Sequence, residues 1–225
     1  MKLDNHDLYS LFRDRNIGYL YHANTMVTSL TFLKQNGLMS RGCVEDKDLD
    51  QTPQSSDRID RDYGIWYDIF LDFYDLHSGG FGYYKRQNVY GPILFKINID
   101  FIKQQNFNVW ITKDNPTNWR TLEENQRYFS SVEELNANWD QNVRYHKMIT
   151  LRDVNRPVLF DYLEKIIIDR PTRLNDLLND EFLEKIIEKF TFNIEYRERC
   201  NNCYCSTNYN QMTSNEIKRL FSTKL

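Results

Sequence analysis

The chain has 225 residues, of which 40% are hydrophobic and 27% charged, and this composition is typical of a folded globular protein. The net charge of −3 argues against strong nonspecific binding of duplex nucleic acid, although it is compatible with a local basic groove. The sequence contains no apolar run of about 18 residues and no signal-peptide pattern at its start, so we expect a cytoplasmic protein with no membrane span.

The first elements are a short helix over residues 4–14 and a strand–turn–helix unit over residues 19–37. His22 stands where the strand ends, and Asn24 or Thr25 can cap the following helix. Gly37 is expected to take the left-handed conformation that ends many helices. A histidine at this point is well placed to hold a polar or anionic ligand, but a purely structural histidine is the more common case.

The segment 42–62 is polar and has no apolar period, which predicts a long loop, either a substrate lid or a disordered connection. An aromatic run over residues 65–76 predicts a strand. Alternation places Asp68, Phe70 and Asp72 on one of its faces, where the two aspartates are either solvated or line a cleft. The glycine-rich turn over residues 77–82 matches no phosphate-binding fingerprint.

The rest of the chain alternates predicted strands and helices. Strands are expected at residues 93–101, 108–112 and 148–151, with helical pieces in the polar connection 117–147. We expect a short helix and a strand over residues 157–168, a helix over residues 179–190, and a strand through Phe192 and Ile194. The final helix begins at a capping box, Thr213-Ser214-Asn215-Glu216, and its apolar face can dock on the body or on a partner.

Three cysteines near the end, Cys200, Cys203 and Cys205, have a spacing that can bind zinc. A tetrahedral site needs a fourth ligand, which Cys43 or a histidine supplies only if the fold brings it close. The alternative is reduced thiols in a polar loop, since disulfides are rare in a reducing compartment. A structural zinc is therefore one of two open interpretations.

The order of these elements resembles the DarT-type ADP-ribosyltransferase toxins over roughly residues 17–170. The resemblance is carried by Tyr21-His22-Ala23-Asn24, by Ser29-Leu30-Thr31-Phe32-Leu33, by Gly37-Leu38-Met39-Ser40-Arg41, and by the turn Thr112-Lys113-Asp114-Asn115. It implies an α+β, ADP-ribosyltransferase-like fold with central split antiparallel sheets and flanking helices. It also implies a single domain over residues 1–225, in which about 171–225 forms a helical, cysteine-containing extension.

The resemblance implies that NAD is a substrate, held around the first turn. The implied NAD-binding residues are His22, Asn24 (where the family prefers Thr), Thr25, Gly37, Leu38, Arg41 and Tyr67, with Arg58 or Arg61 as the arginine that positions the dinucleotide. The catalytic glutamate of the family starts a late strand, which here corresponds to residues 144–149 and contains no glutamate. His146 and Glu134 are the main candidates for its place, with Glu133 beside Glu134 and Asp153 just downstream as further acidic residues. Arg61 completes the predicted catalytic set. Either the alignment slips, or the catalytic machinery differs, or the chain is inactive.

The function implied by the resemblance is transfer of ADP-ribose to a base of single-stranded RNA or DNA. The expected setting is a toxin–antitoxin or phage-defence system, with an antitoxin protein as partner. Two alternatives are open. The missing glutamate is compatible with a noncatalytic module that binds a nucleotide or a partner, and the fold by itself does not exclude a protein acceptor.

Overall fold

The computed structural model describes residues 2–75, 90–104, 106–140, 147–171, 192–199, 209 and 212–223. Its α-helices are α1 (Asn5–Asp14), α2 (Met26–Lys34), α3 (Arg41–Asp46), α4 (Asp57–Asp62), α5 (Glu124–Arg127), α6 (Val132–Ala137) and α7 (Ser214–Phe221). Its strands are β1 (Tyr19–Asn24), β2 (Ile69–Asp72), β3 (Ile93–Asn98), β4 (Val109–Ile111), β5 (Met148–Leu151), β6 (Leu163–Pro171) and β7 (Ile194–Arg199). Short 3₁₀ helices lie at Ile99–Lys103, Pro116–Asn118 and Phe160–Tyr162.

The described strands form one seven-stranded sheet in the order β4-β5-β2-β1-β3-β6-β7. Neighbouring strands are antiparallel, except that β6 and β7 are parallel. β1 pairs with β3 along its whole length, whereas its register with β2 contains the single position Tyr21 opposite Asp72. The sheet therefore opens between β1 and β2, and helices pack beside it. The predicted α+β class is confirmed.

The first two helices form for different reasons. The side chain of Asp4 caps α1 by accepting hydrogen bonds from the amides of His6 and Asp7, both at 2.9 Å, and Leu8 and Phe12 are fully buried. In α2, by contrast, every residue from Met26 to Leu33 is buried. A helix with no exposed face must lie inside the domain, so α2 anchors the end of β1 in the core.

The loop predicted for residues 42–62 is wrong in part: the segment contains α3 and α4, and only residues 47–56 form an irregular connection between them. Ser40 caps α3 by accepting a hydrogen bond from the amide of Cys43 at 3.1 Å, and Cys43 and Val44 are buried. A helix of six residues with only three buried positions, Gly42 among them, shows no apolar period. The Ser40 cap and the burial of Cys43 and Val44, rather than an apolar period, therefore account for α3.

The end of α2 and the start of β2 also differ from expectation. Asn36, with φ 54°, takes the left-handed conformation that was predicted for Gly37. Gly37 is needed for another reason, because the backbone of Val158 lies close to it. A Cβ atom at position 37 would lie 2.6 Å from the amide nitrogen of Val158. The strand predicted over residues 65–76 is confined to β2 in the described part of the chain, because residues 65–68 form a turn in which the amide of Asp68 bonds to the carbonyl of Ile65.

The strand predicted over residues 93–101 ends at Asn98. The side chain of Asn98 accepts a hydrogen bond from the amide of Asp100 at 2.9 Å and so caps the following 3₁₀ helix. The strands predicted at residues 148–151 and after Phe192 are confirmed as β5 and β7. The helix predicted over residues 179–190 lies outside the described residues.

The predicted capping box at Thr213 and Glu216 is present at the start of α7. The apolar face of α7, formed by Ile217, Leu220 and Phe221, is buried together with Tyr209. Arg219 donates a hydrogen bond to the carbonyl of Pro53 at 3.3 Å, so the helix docks on the body of the protein. None of the described helices has the length and apolar character that crossing a membrane requires.

Candidate functional site

A partly open cavity with a volume of about 120 Å³ lies where β1 and β2 diverge. Its walls come from β1, β2, the first residue of β5, the helices α2 to α4 and the turn after β4. The polar and charged side chains that matter most for its chemistry are His22, Asn24, Arg41, Asp60, Asp68 and Asp72. The cavity is open to one side and its wall contains side chains of both charges, which suits a polar ligand.

His22 lies between the two diverging strands. Its Nδ1 atom is 2.8 Å from the carbonyl oxygen of Phe70, and its Nε2 atom is 3.3 Å from the Nδ2 atom of Asn24. A carbonyl oxygen only accepts hydrogen bonds, so Nδ1 carries the proton and Nε2 accepts from the Asn24 amide. Burial lowers the pKa of His22 from its ordinary value. The imidazole is therefore neutral near pH 7 and presents an acceptor nitrogen.

The turn after His22 is held by a network of short polar side chains. The amide of Thr25 donates to Asn24 Oδ1 at 2.8 Å, and the hydroxyl of Thr25 is 2.8 Å from that of Thr52. The amide of Thr52 donates to the hydroxyl of Thr28 at 2.9 Å. These bonds connect the start of α2 to the segment before α4. Two walls of the cavity therefore have a fixed relative position.

Arg41 is the first residue of α3, and only 14% of its side chain is exposed. One terminal nitrogen, Nη2, pairs with Asp57 Oδ2 at 2.7 Å, and the other, Nη1, donates to the carbonyl of Thr52 at 3.0 Å. Its Nε atom is buried and has no hydrogen-bond partner within the described residues. The cavity wall thus contains a guanidinium that Asp57 and Thr52 hold in one orientation, and a guanidinium is a group that can bind an anionic ligand.

Two cavity carboxyls have strongly perturbed pKa values. Burial, followed by the like charge of Asp57, raises the pKa of Asp60 to about 7. Burial also raises the pKa of Asp68 to about 6, although the guanidinium of Arg152 lies 2.7 Å away and opposes the shift. A third carboxyl, Asp72, is buried on β2. Perturbed carboxyls that line a cavity mark a candidate site for proton transfer or charge stabilisation.

No protein-family model matches the chain, and no curated protein matches it in sequence. Solved structures do match. DarT of Thermus sp. 2.9, in complex with ADP-ribosylated ssDNA, superposes with a TM-score of 0.52 over 81% of this chain and 95% of that chain, at 11% identity. The chain has a DarT-like fold. Thermosipho africanus DarTG, in complex with ADP-ribose, superposes with a TM-score of 0.50 at 13% identity. The match covers 80% of this chain and 50% of that chain.

The expected ADP-ribosyltransferase-like architecture is therefore confirmed. Within the DarT-like fold, the predicted residues His22, Asn24 and Arg41 meet at the cavity. Thr25 lies directly behind them in the turn network. Gly37 and Leu38 form no part of the cavity wall; they pack on residues 157 and 158, where Leu38 and Val158 exchange backbone hydrogen bonds.

Four further predicted residues also lie outside the cavity wall. Arg58 is 91% exposed and lies 3.6 Å from Asp62. Arg61 stacks on Trp66 and pairs with Glu45 at 2.8 Å. The ring of Tyr67 covers Gly42, and its hydroxyl donates to Asp46 at 3.0 Å. Glu134 pairs with Lys113 at 2.6 Å. Arg58, Arg61 and Glu134 each lie next to a residue of opposite charge, and Tyr67 is held by Gly42 and Asp46. These contacts keep the four side chains away from the cavity.

The remaining predicted site residues cannot be placed. His146, Cys200, Cys203 and Cys205 lie outside the described residues. Cys43, considered as a fourth zinc ligand, is a buried free thiol on α3. A structural zinc site therefore stays a prediction from the sequence.

Sequence reasoning missed Asp60, Asn115 and Met148 as parts of the cavity wall. No local signal separates Asp60 from the other acids of its polar segment. For Asp68 and Asp72 a signal was present, because strand alternation put both on one face and left a cleft as one alternative. The structure selects that alternative.

Proposed function

We propose that this protein is an NAD-dependent ADP-ribosyltransferase that modifies a base of single-stranded nucleic acid, and that the cavity is its NAD site. The observation that carries the proposal is the meeting of His22, Asn24 and Arg41 at the opening between β1 and β2 of a DarT-like fold. A neutral histidine, an amide and a fixed guanidinium are groups that can hold ribose hydroxyls and a diphosphate.

The cavity groups suit the parts of NAD. Arg41 lines the cavity and offers a guanidinium of fixed orientation to the diphosphate. The Nε2 atom of His22 can accept a hydrogen bond from a ribose hydroxyl in place of the one from Asn24. The rings of Phe32 and Phe70 give the cavity aromatic surface against which nicotinamide can pack.

An unpaired base is the acceptor that we favour. A partly exposed cation and a partly exposed ring lie together near the cavity: the guanidinium of Arg127 is 4.6 Å from the ring centre of Tyr63, and both rest on the fully buried Trp119. Single-stranded nucleic acids bind to such surfaces through base stacking and backbone charge. The net charge of −3 favours a short contact of this kind over a long duplex footprint.

DNA is the first acceptor to test, because the DarT of Thermus sp. 2.9 is described with ADP-ribosylated ssDNA; RNA is the second. A toxin role, with an antitoxin protein as partner, belongs to the same proposal, since modified bases block the use of a nucleic acid as template. The apolar face of α7 is buried against Tyr209, so an antitoxin would have to bind a surface other than this face.

The test uses purified protein with adenylate-labelled NAD and, separately, single-stranded DNA, single-stranded RNA and extract protein. Release of nicotinamide and label on one nucleic acid are the expected results. Label on extract protein alone would replace the base with a protein acceptor. NAD binding without nicotinamide release would favour the second candidate, a noncatalytic nucleotide-binding module, which is motivated by a methionine, Met148, at the start of β5.

A further inference from the structure

We infer that Asn115 determines ligand specificity in the cavity by donating a hydrogen bond from its Nδ2 atom to the carboxamide oxygen of nicotinamide. The inference rests on the proposed function, because it assigns a partner to one end of the NAD molecule. Asn115 lies in the turn after β4, lines the cavity and is only 5% exposed. A buried amide that borders a ligand cavity needs a partner at both of its ends.

The oxygen end of the Asn115 amide is occupied. Asn115 precedes the 3₁₀ helix Pro116–Asn118, and its Oδ1 atom accepts hydrogen bonds from the amide of Thr117 at 3.0 Å and from the hydroxyl of Thr117 at 2.7 Å. Two donors at one atom determine which end of the side-chain amide is the oxygen. The other end is therefore the Nδ2 atom, which offers only donors.

The nitrogen end of Asn115 has a weak partner. The Nδ2 atom carries two hydrogens, and its only acceptor among the described residues is the Sδ atom of Met148, at 3.7 Å. A thioether sulfur is a weak acceptor, so a ligand oxygen can replace it at little cost. Capping of the 3₁₀ helix requires only the oxygen, and serine or aspartate caps as well as asparagine does. The amide nitrogen is the part of Asn115 that capping does not explain.

The turn holds this donor in a fixed position. Thr112 donates its backbone amide to the carbonyl of Met148 at 3.0 Å, and its hydroxyl accepts from the amide of Met148 at 2.9 Å. The amide of Asn115 donates to Asp114 Oδ1 at 2.6 Å, and the indole of the fully buried Trp119 donates to the carbonyl of Asp114 at 3.2 Å. The turn is thus tied both to β5 and to the core. A donor on such a turn is preorganised for a ligand of one geometry.

The sheet register puts an aromatic ring within reach of Asn115. Phe70 on β2 is opposite Thr150 on β5, which makes Met148 its diagonal neighbour on the same face of the sheet. Diagonal neighbours lie about 7–8 Å apart and are within reach of an aromatic side chain. Phe70, Met148 and Asn115 all line the cavity. A flat ring that packs on Phe70 can therefore extend a substituent to the amide that contacts Met148.

Nicotinamide supplies the matching group. The carboxamide contains the only carbonyl oxygen of NAD, since adenine offers ring nitrogens and an amino group, and the phosphates are charged and suit Arg41. A neutral group that offers only donors suits a neutral carbonyl oxygen and disfavours an amino group at the same point. A carbonyl oxygen of the acceptor base has the same chemistry. The base reaches the cavity from outside, however, whereas Asn115 is buried in the wall where NAD is proposed to bind.

The experiment uses Asn115→Asp and Asn115→Ser, which both keep an oxygen that can cap the 3₁₀ helix but lack the Nδ2 donor. Asn98→Asp is the matched control. Asn98 caps another 3₁₀ helix by accepting from the amide of Asp100 at 2.9 Å, and it lies outside the cavity wall. Two ligands are titrated into the full-length proteins: a carbocyclic NAD analogue, which cannot release nicotinamide, and ADP-ribose, which lacks nicotinamide. Melting temperatures check that each variant is folded.

Both Asn115 variants should bind the carbocyclic analogue about tenfold or more weakly than wild type does, because its carboxamide oxygen loses a buried donor. Their affinity for ADP-ribose should stay within about twofold of wild type, since no carboxamide is present. Asn98→Asp should bind both ligands as wild type does. Free nicotinamide and 3-acetylpyridine, which both carry the carbonyl, should displace the analogue from wild type better than pyridine does. Asn115→Ser should lose this preference.

The outcomes separate this inference from the proposed function. Equal losses of affinity for the analogue and ADP-ribose, or no loss for either, would overturn the role of Asn115 and leave the NAD site in place. Normal affinity for the analogue with a selective loss of transfer to an oligonucleotide would also overturn it, because Asn115 would then contact the acceptor base. A wild-type protein that binds neither ligand would remove the proposed function together with this inference.

Discussion

The Nδ1 atom of His22 donates a hydrogen bond to the carbonyl oxygen of Phe70 across a distance of 2.8 Å. This bond joins β1 to β2 just where the two strands stop pairing regularly. The ring also contacts Phe32 on α2, with ring centres 5.9 Å apart. His22 is therefore part of the framework and of the cavity wall at the same time, and its two roles can be separated by substitution.

His22→Ala is expected to lower both stability and NAD affinity. The carbonyl of Phe70 loses its donor, and an unsatisfied buried acceptor costs about 1–3 kcal/mol. His22→Asn is the matched variant, because its amide can replace the Nδ1 donor but offers nothing in place of Nε2. Denaturant unfolding should show the asparagine variant close to wild type. Calorimetric titration should show weak NAD binding in both, and wild-type affinity in either would remove His22 from the NAD site.

Arg41→Lys is expected to weaken NAD binding by about tenfold or more. The single ammonium of lysine cannot replace the two guanidinium nitrogens that donate to Thr52 and Asp57 and still offer a hydrogen bond to a diphosphate. Binding of adenosine, which has no phosphate, should change little, and this comparison is the internal control. Asp57→Asn should strengthen NAD binding, because it removes a carboxylate that competes for the guanidinium. If Arg41→Lys weakens adenosine and NAD equally, a specific contact with the diphosphate is excluded.

Gly91→Ala is expected to destabilise the protein and to distort the turn beside His22. Gly91 has φ +128°, and a Cβ there would lie 2.2 Å from the carbonyl oxygen of Asn24. Both the conformation and the contact forbid a side chain, so a loss of about 3 kcal/mol or more is expected. Gly18→Ala is the control, since a Cβ at Gly18 meets no atom within 4 Å. Thermal unfolding of the two variants measures the difference, and equal melting temperatures would contradict it.

The titration of Asp60 should make the protein less stable as the pH rises from about 4 to about 7. The pKa of Asp60 is raised from 3.8 to about 7 by burial and by Asp57, with Arg41 opposing and Asp68 adding to the shift. Between these values the folded state holds a proton that the unfolded state has released, so stability falls with increasing pH. Once Asp60 is ionised, the destabilisation is on the order of 2–4 kcal/mol.

Asp60→Asn removes this titration. Urea unfolding should therefore show that the stability of the variant relative to wild type increases between pH 4.5 and pH 8. Asp62→Asn, at an exposed position, should show no such dependence. A constant difference between wild type and Asp60→Asn across this pH range would show that the carboxyl is not buried as the structure has it.

Much of the framework could be read from local sequence. Asp4 and the apolar positions of α1, the alternation of β3, and the capping box at Thr213 are short-range features, and each is present in the structure. The sequence also placed His22 beside a helix N-terminus and Asp72 on a strand, whereas Asp68, predicted on the same strand, lies in the turn before β2. These features depend on residues within a few positions of one another, where propensity and periodicity act directly.

The composition of the cavity depended on contacts between distant segments. Arg41 reaches the cavity while Arg58 and Arg61 do not, because Asp57 directs the first, and Trp66 and Glu45 hold Arg61 elsewhere. The opposition of Asp72 and Met148 joins residues 76 positions apart through strand pairing. Local pattern determined which elements form and which faces are polar. Only the tertiary structure decided which polar groups share one cavity, because register and helix packing are set by long-range burial.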